Sequence, residues 1–223
     1  MGEVDEVEGW NPMTIYEPIP DRCVPEELPA LRVVLPKIDI FSPNAAEALA
    51  ILSMPVENVT RVMIEGACSQ FLAMSVGKEG MGTVIIRSGE LGAYVRQLGK
   101  EGLWVDAYWG RDRPEKVVDV TGKGVAPNNT MAKTPQGAGN AFLGGLAGGL
   151  ALGKNMYEGK YTVTRYPTVV NSSTAVLYAT VSASFTIEQY GLPPIGLGTL
   201  WNGDSPERRV EELQNRYRDI MSE

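Results

Sequence analysis

The stretch "DVTGKGVAPNNTMAKTPQGAGNAFLGG", Asp119 to Gly145, carries two glycine-bearing fragments separated by residues 123–136. The first, Asp119-Val120-Thr121-Gly122, closes a run of strand character, "EKVVDV" (115–120). The second, Gly137-Ala138-Gly139-Asn140, opens an uncharged run that reaches Gly153 and predicts a helix from about Ala138. Glycines at a helix start leave backbone N–H groups unpaired at the positive end of the helix dipole. A phosphate, or charge developing on a transferring phosphoryl group, is stabilised there. With no Cβ in the way, a ligand can approach the backbone closely. The bland alternative is a glycine turn that merely starts a tightly packed helix, since Gly-x-Gly is a short pattern.

Outward from this stretch, strands and helices alternate. "MTIYEPIP" (13–20) suits a short strand, and "CVPEELPALRVVLPK" a short helix carrying Leu28, Leu31 and Val34. "IDIFSPN" (38–44) reads as a strand running directly into a helix, "AAEALAIL". A further helix is expected over 60–77. Next come a buried strand, a Gly89-x-x-Gly92 turn and a second strand within "GTVIIRSGELGAYVRQ" (82–97). "LWVDAYWG" (103–110) predicts another strand, and 166–189 a long apolar helix. The C-terminal "DSPERRVEELQNRYRDIMSE" is an amphipathic helix with an expected capping box from Asp204 to Glu207. Val210, Leu213, Tyr217 and Ile220 line one of its faces. The pattern predicts α/β architecture with a largely parallel central sheet flanked by helices. Residues 1–12 are polar and read as a loose N-terminus, leaving 13–223 as the folded part.

Composition narrows the chemistry. With 223 residues, the chain can bury a substantial core. The balance of 20 basic and 27 acidic residues, with no basic cluster, argues against nucleic acid or an anionic membrane as partner. The absence of histidine removes Ser-His and Cys-His nucleophile pairs and the usual zinc sites. Cys23 and Cys68 form no metal-ligand spacing and suggest no disulfide framework, which fits a reducing, cytoplasmic setting. The acidic N-terminus lacks the apolar core of a signal peptide, and Glu6 occupies the position where a myristoylation signal needs Ser or Thr. Gly145-x-x-x-Gly149 matches a membrane helix-pairing pattern, but its apolar run is too short and glycine-rich for a comfortable span.

Taken in order, these segments resemble the ribokinase-like (PfkB) family of carbohydrate kinases, over roughly residues 14–193. The resemblance is nearest to divergent fungal members. The family's C-terminal signature runs Asp-Thr-x-Gly-Ala-Gly-Asp-x-Phe. By this resemblance Gly137, Ala138 and Gly139 form the anion hole, and Asn140 stands at the position of the catalytic base. Asp119, Thr121 and Gly122 then border the nucleotide, as do Gly89 and Gly92, which match the turn usually written Thr-x-Gly-x-x-Gly-Ala. Asn171 falls on the helix flanking the base. Asn44 and Glu47 match Asn-x-x-Glu, which serves Mg2+ through water. Each has a plainer reading: a capped helix start for Asn44 and Glu47, a hairpin turn for Gly89 and Gly92, an ordinary helical polar residue for Asn171.

The sequence departs from the family in three ways. Asn140 is a neutral amide and cannot take a proton from a substrate hydroxyl near pH 7. Residues 123–136 split a loop that the family writes without a break, a length that usually marks function or disorder. The sugar-binding motif, the lid and the first strands of the family lie before the point matching Met13. The resemblance therefore implies a partial domain with part of its sheet uncovered. The implied activity is ATP-dependent phosphoryl transfer to a sugar or similar alcohol, weak or lost in this chain. The alternative is a non-catalytic nucleotide-binding or protein-interaction role, with a partner covering the exposed sheet.

Overall fold

The computed structural model describes residues 12–110, 113, 116, 117, 137–157, 174–189, 191–194 and 200–221. The 123–136 excursion, Asp119, Thr121, Gly122 and Asn171 lie outside them, as do residues 166–173 of the expected long helix.

The elements run β1 (Ile15–Tyr16), α1 (Leu28–Val34), β2 (Ile40–Phe41), α2 (Ala45–Ile51), α3 (Arg61–Leu72), β3 (Thr83–Arg87), β4 (Ala93–Gln97), β5 (Leu103–Val105), α4 (Ala138–Ala151), α5 (Ala175–Thr186) and α6 (Pro206–Met221). The strands form one five-stranded sheet in the order β1-β2-β3-β4-β5. β1 and β2 pair in parallel, with Ile15 opposite Ile40, and β2 and β3 likewise, with Ile40 opposite Thr83. β4 and β5 are antiparallel, with Ala93 opposite Val105 and Val95 opposite Leu103. The sheet is thus mixed: β1, β2 and β3 have the parallel pairing expected of most of it, and β4 with β5 is antiparallel. Chain length explains the change. α1 separates β1 from β2, and α2 with α3 separates β2 from β3, so both pairs have the crossover that parallel strands need. Only a short connection joins β4 to β5.

The chain divides into two compact units, Met1–Ile85 and Ile86–Glu223. In the first, Leu35, Ile40, Phe41, Leu49, Ile64, Phe71 and Val84 are buried. Phe41 meets the edge of Phe71 with ring centroids 4.9 Å apart. β1 is held at its start by Asp39, whose Oδ2 accepts from both the Thr14 backbone N–H (2.7 Å) and the Thr14 hydroxyl (2.9 Å). α3 ends at Leu72, short of the expected 77, because Ser75 (φ 63°) and Gly77 (φ 76°) leave the right-handed helical region.

In the second unit Val95, Val105, Leu146, Val176, Phe185 and Leu213 form the core. Gly92 explains the turn into β4. Its φ is 93°, its carbonyl accepts from the Ser88 N–H at 2.7 Å, and a Cβ there would strike the Val105 carbonyl on the neighbouring strand. β5 stops at Val105, and Tyr108 and Trp109 leave the sheet to pack against each other, edge to face, at 4.6 Å. Of the strand expected over 115–120, residues 115 and 118–120 lie outside the described residues; Lys116 donates its backbone N–H to the Arg113 carbonyl at 3.1 Å.

The capping box expected on α6 gives way to a single side-chain cap one residue on. Ser205, not Asp204, caps the helix: its Oγ accepts from the Arg208 N–H at 3.3 Å and donates to Glu207 Oε2 at 2.7 Å. Pro206 then takes the first helical position, where its missing N–H removes no bond.

Candidate functional site

Asn44 and Glu47 belong to the first unit. Asn44 has extended backbone geometry, and its Oδ1 accepts from the Glu47 N–H at 2.9 Å. Glu47 Oε2 accepts from the Asn44 N–H at 2.7 Å, completing a reciprocal capping box, and the Glu47 side chain is buried. The helix-start reading of the pair is therefore realised. The same carboxylate bears on Cys23, whose thiol is pushed up to about 11, mainly by burial and then by the charge of Glu47. Cys23 donates to the Ile19 carbonyl at 3.2 Å, so it is a structural thiol, not a nucleophile.

Gly137–Asn140 belongs to the second unit and opens α4 as expected. Gly137 is the N-cap in the left-handed region (φ 83°) and, as a glycine, brings no side chain of its own to cap the helix. Its carbonyl accepts from the Ala141 N–H at 2.9 Å, which fixes the first turn. The N–H groups of Ala138, Gly139 and Asn140 precede that bond and have no earlier helical carbonyl to reach. Gly137 and Asn140 are exposed, and Ala138 and Gly139 half-buried. Three backbone donors at a helix start that its glycine N-cap does not cover fit an anionic oxygen cluster such as a phosphate. Gly89 (φ 56°) and Gly92 make the turn between β3 and β4 in the same unit. Among the described residues no group of three His, Cys, Asp or Glu side chains is placed to hold a metal ion.

A polar cluster in the second unit escaped the sequence reading. Arg209 is almost fully buried. Its Nη1 lies 2.7 Å from Glu188 Oε1 and donates to Ser184 Oγ at 2.9 Å, while its Nε donates to Asp204 Oδ2 at 2.7 Å. The guanidinium sits 3.7 Å from the ring centre of Phe185, 4.9 Å from Tyr108 and 5.3 Å from Trp109. Trp109 Nε1 donates to Glu188 Oε1 (2.7 Å), and Tyr108 donates its hydroxyl to Glu212 Oε2 (2.8 Å). Burial, reinforced by that hydrogen bond, pushes the Tyr108 phenol up to about 12. One signal was present: Arg209 lies four residues before Leu213 and so shares the buried face of α6.

Asp204 gives the cluster a pH dependence. Hydrogen bonds from Arg208, with further help from Arg209 and the Ser205 N–H, hold its carboxyl well below the usual carboxylate range against the opposing effect of burial. A depressed folded pKa contributes stability that is complete above the unfolded value, about 3.9, and is lost as pH falls towards the folded value. Wild-type stability is therefore expected to drop as pH falls below about 4, and Asp204→Asn to flatten that drop while lowering stability at pH 7. Urea titrations at several pH values check this, and parallel pH profiles for the two proteins would remove Asp204 as a source.

No protein-family model matches the chain. An uncharacterized protein of Schizosaccharomyces pombe is 27% identical over 218 residues, covering 91% of this chain and 51% of the relative. The protein MAK32 of Saccharomyces cerevisiae is 27% identical over 208 residues, covering 90% and 48%. Among solved structures, the ribokinase of Thermotoga maritima matches with a TM-score of 0.53 at 19% identity, over 93% of this chain and 50% of the enzyme. The nucleoside kinase of Methanocaldococcus jannaschii, an archaeal member of the ribokinase family, matches with a TM-score of 0.50 at 15% identity, over 92% and 49%. The chain thus spans about half the length of the relatives it matches, and its fold is ribokinase-like.

Proposed function

We propose that this chain is a PfkB-type kinase-like protein whose Gly137–Asn140 turn receives the phosphate tail of Mg-ATP. The observation that carries the reading is the glycine-capped start of α4, where Gly137 and Asn140 are exposed and the backbone N–H groups of Ala138, Gly139 and Asn140 precede the first helical bond, within a ribokinase-like fold. When bound, Mg2+ would neutralise phosphate charge. Asp119, Thr121, Gly122, Gly89, Gly92 and Asn171 would border the nucleotide. The acceptor would be a sugar or similar alcohol, in the cytoplasm.

Asn140 limits what the turn can do. An amide can orient a hydroxyl by hydrogen bonding but does not accept its proton, so transfer through this chain is weak or absent. Binding does not need that proton transfer. The exposed amide therefore also favours a second reading, a non-catalytic nucleotide-binding protein. In it, a face of the sheet would meet a protein partner.

Nucleotide binding is tested directly. Saturating Mg-ATP at about ten times its Kd is expected to stabilise the chain by about 1.4 kcal/mol, raising Tm by a few degrees. Inorganic phosphate and Mg2+ alone serve as controls. An unchanged melting curve at millimolar Mg-ATP, together with no heat in calorimetric titration, would remove the nucleotide site.

A further inference from the structure

Arg209 belongs to α6, yet every group it holds outside α6 and its leading turn lies at the end of α5 or in the Tyr108–Trp109 segment. Its fork reaches Ser184 and Glu188, and its plane stacks on Phe185. Asn202 adds to the same end: its Nδ2 lies 3.0 Å from the Phe185 carbonyl, 2.8 Å from Glu188 Oε2 and 2.6 Å from Gln189 Oε1. Thr186 lies between these groups in sequence and is buried. Thr186 is also what Gly137 faces, because a Cβ on Gly137 would come within 3.4 Å of Thr186 Cγ2. The end of α5 is thus one wall of the α4 N-terminal turn, and Arg209 grips that wall from the other side.

We infer that Arg209 is a positioning residue for the Gly137–Asn140 turn, coupling the docking of α6 to the geometry of the proposed phosphate site. A planar, five-donor fork stacked on a ring fixes orientation as well as distance, which an ammonium on a flexible stem does not. With the fork in place, α5 ends in one orientation and the three donor N–H groups of α4 converge. Without it, the carboxylates keep other partners: Glu188 retains Trp109 and Asn202, and Asp204 retains Arg208. The helix can then stay docked while its register on α5 loosens. The ligand part of this inference rests on the nucleotide reading above; the mechanical part does not.

The test compares wild type, Arg209→Met and Arg209→Lys by site-resolved hydrogen exchange and by Mg-ATP titration. Arg209→Met is expected to raise exchange about tenfold in 137–143 while leaving 146–151 unchanged, and to weaken Mg-ATP binding by a similar factor. Arg209→Lys, which keeps the charge but not the fork, should fall between the two. If the methionine variant does not fold, the lysine variant alone carries the comparison. A rise confined to 201–216, or one spread evenly over the chain, overturns the inference, since Arg209 would then only anchor α6 or support the core. A wild type that binds no Mg-ATP removes the nucleotide reading, and the exchange pattern still decides whether Arg209 sets the turn.

Discussion

Gly145→Leu is expected to destabilise the chain by about 3 kcal/mol or more, while Gly144→Ala, one residue away, should stabilise it by about 0.5–1 kcal/mol. The contrast follows from how α4 lies on α5. A Cβ at Gly145 would come within 2.6 Å of both Ser182 Cβ and the Tyr178 carbonyl oxygen. A Cβ at Gly149, one turn on, would approach Ala175 Cα to 2.9 Å. Those partners are backbone or stub atoms of a helix and cannot rotate away, so a larger side chain must push the helices apart. Gly144 and Gly148 face open space, where a methyl group meets nothing and only reduces the freedom of the unfolded chain. Urea denaturation followed by far-ultraviolet circular dichroism gives both signs in one series. If Gly145→Leu moves the midpoint no further than Gly144→Ala does, the close crossing is wrong.

That crossing also shows what the sequence could and could not convey. The Gly-x-x-x-Gly spacing announces close helix approach in any medium, and the shortness of the run was enough to steer it away from a membrane span. Among the described residues no helix is long and apolar enough to cross one. What the spacing does not carry is which helix approaches. The β2–α2 junction was legible because its signals are local: an apolar strand, Asn44 at the cap, and Glu47 three residues on, each satisfied within one turn. The turn between β3 and β4 was legible for the same reason. α6 was half legible. Its apolar stripe predicts Val210 and Leu213 inside, as found, but two neighbouring capping candidates compete at its start. Asp204 loses to Ser205 because Arg208, four residues on, and the buried Arg209 both claim its carboxylate. The Arg208 pairing is local, but Arg209's share is not, since Arg209 acquires its worth from Tyr108, Trp109, Phe185 and Glu188, all outside α6. The change from parallel to antiparallel pairing at β4 and β5 was readable from the short connections, but the strand–helix alternation elsewhere outweighed it.

Replacing the amide at the start of α4 by a carboxylate, Asn140→Asp, is expected to raise the rate of phosphoryl transfer by about 10²–10⁴ if the acceptor side of the cleft is intact. Two opposing effects act at this position. A carboxylate can take the hydroxyl proton as the phosphoryl group moves, which is what the amide cannot do. Its charge is also favourable in the first turn of a helix, by about 0.3–1 kcal/mol at an exposed position such as this one. Against this, a negative charge beside a bound phosphate repels it, so the affinity for Mg-ATP should fall slightly while turnover rises. A crippled enzyme therefore predicts a split response: higher kcat, and unchanged or weaker nucleotide binding. The measurement is ADP formation by wild type and variant against a panel of sugars and nucleosides, beside calorimetric titration of both proteins with Mg-ATP. Intact Mg-ATP binding with no ADP from either protein would give the turn a nucleotide-holding role without chemistry, and would remove the amide as the reason transfer fails.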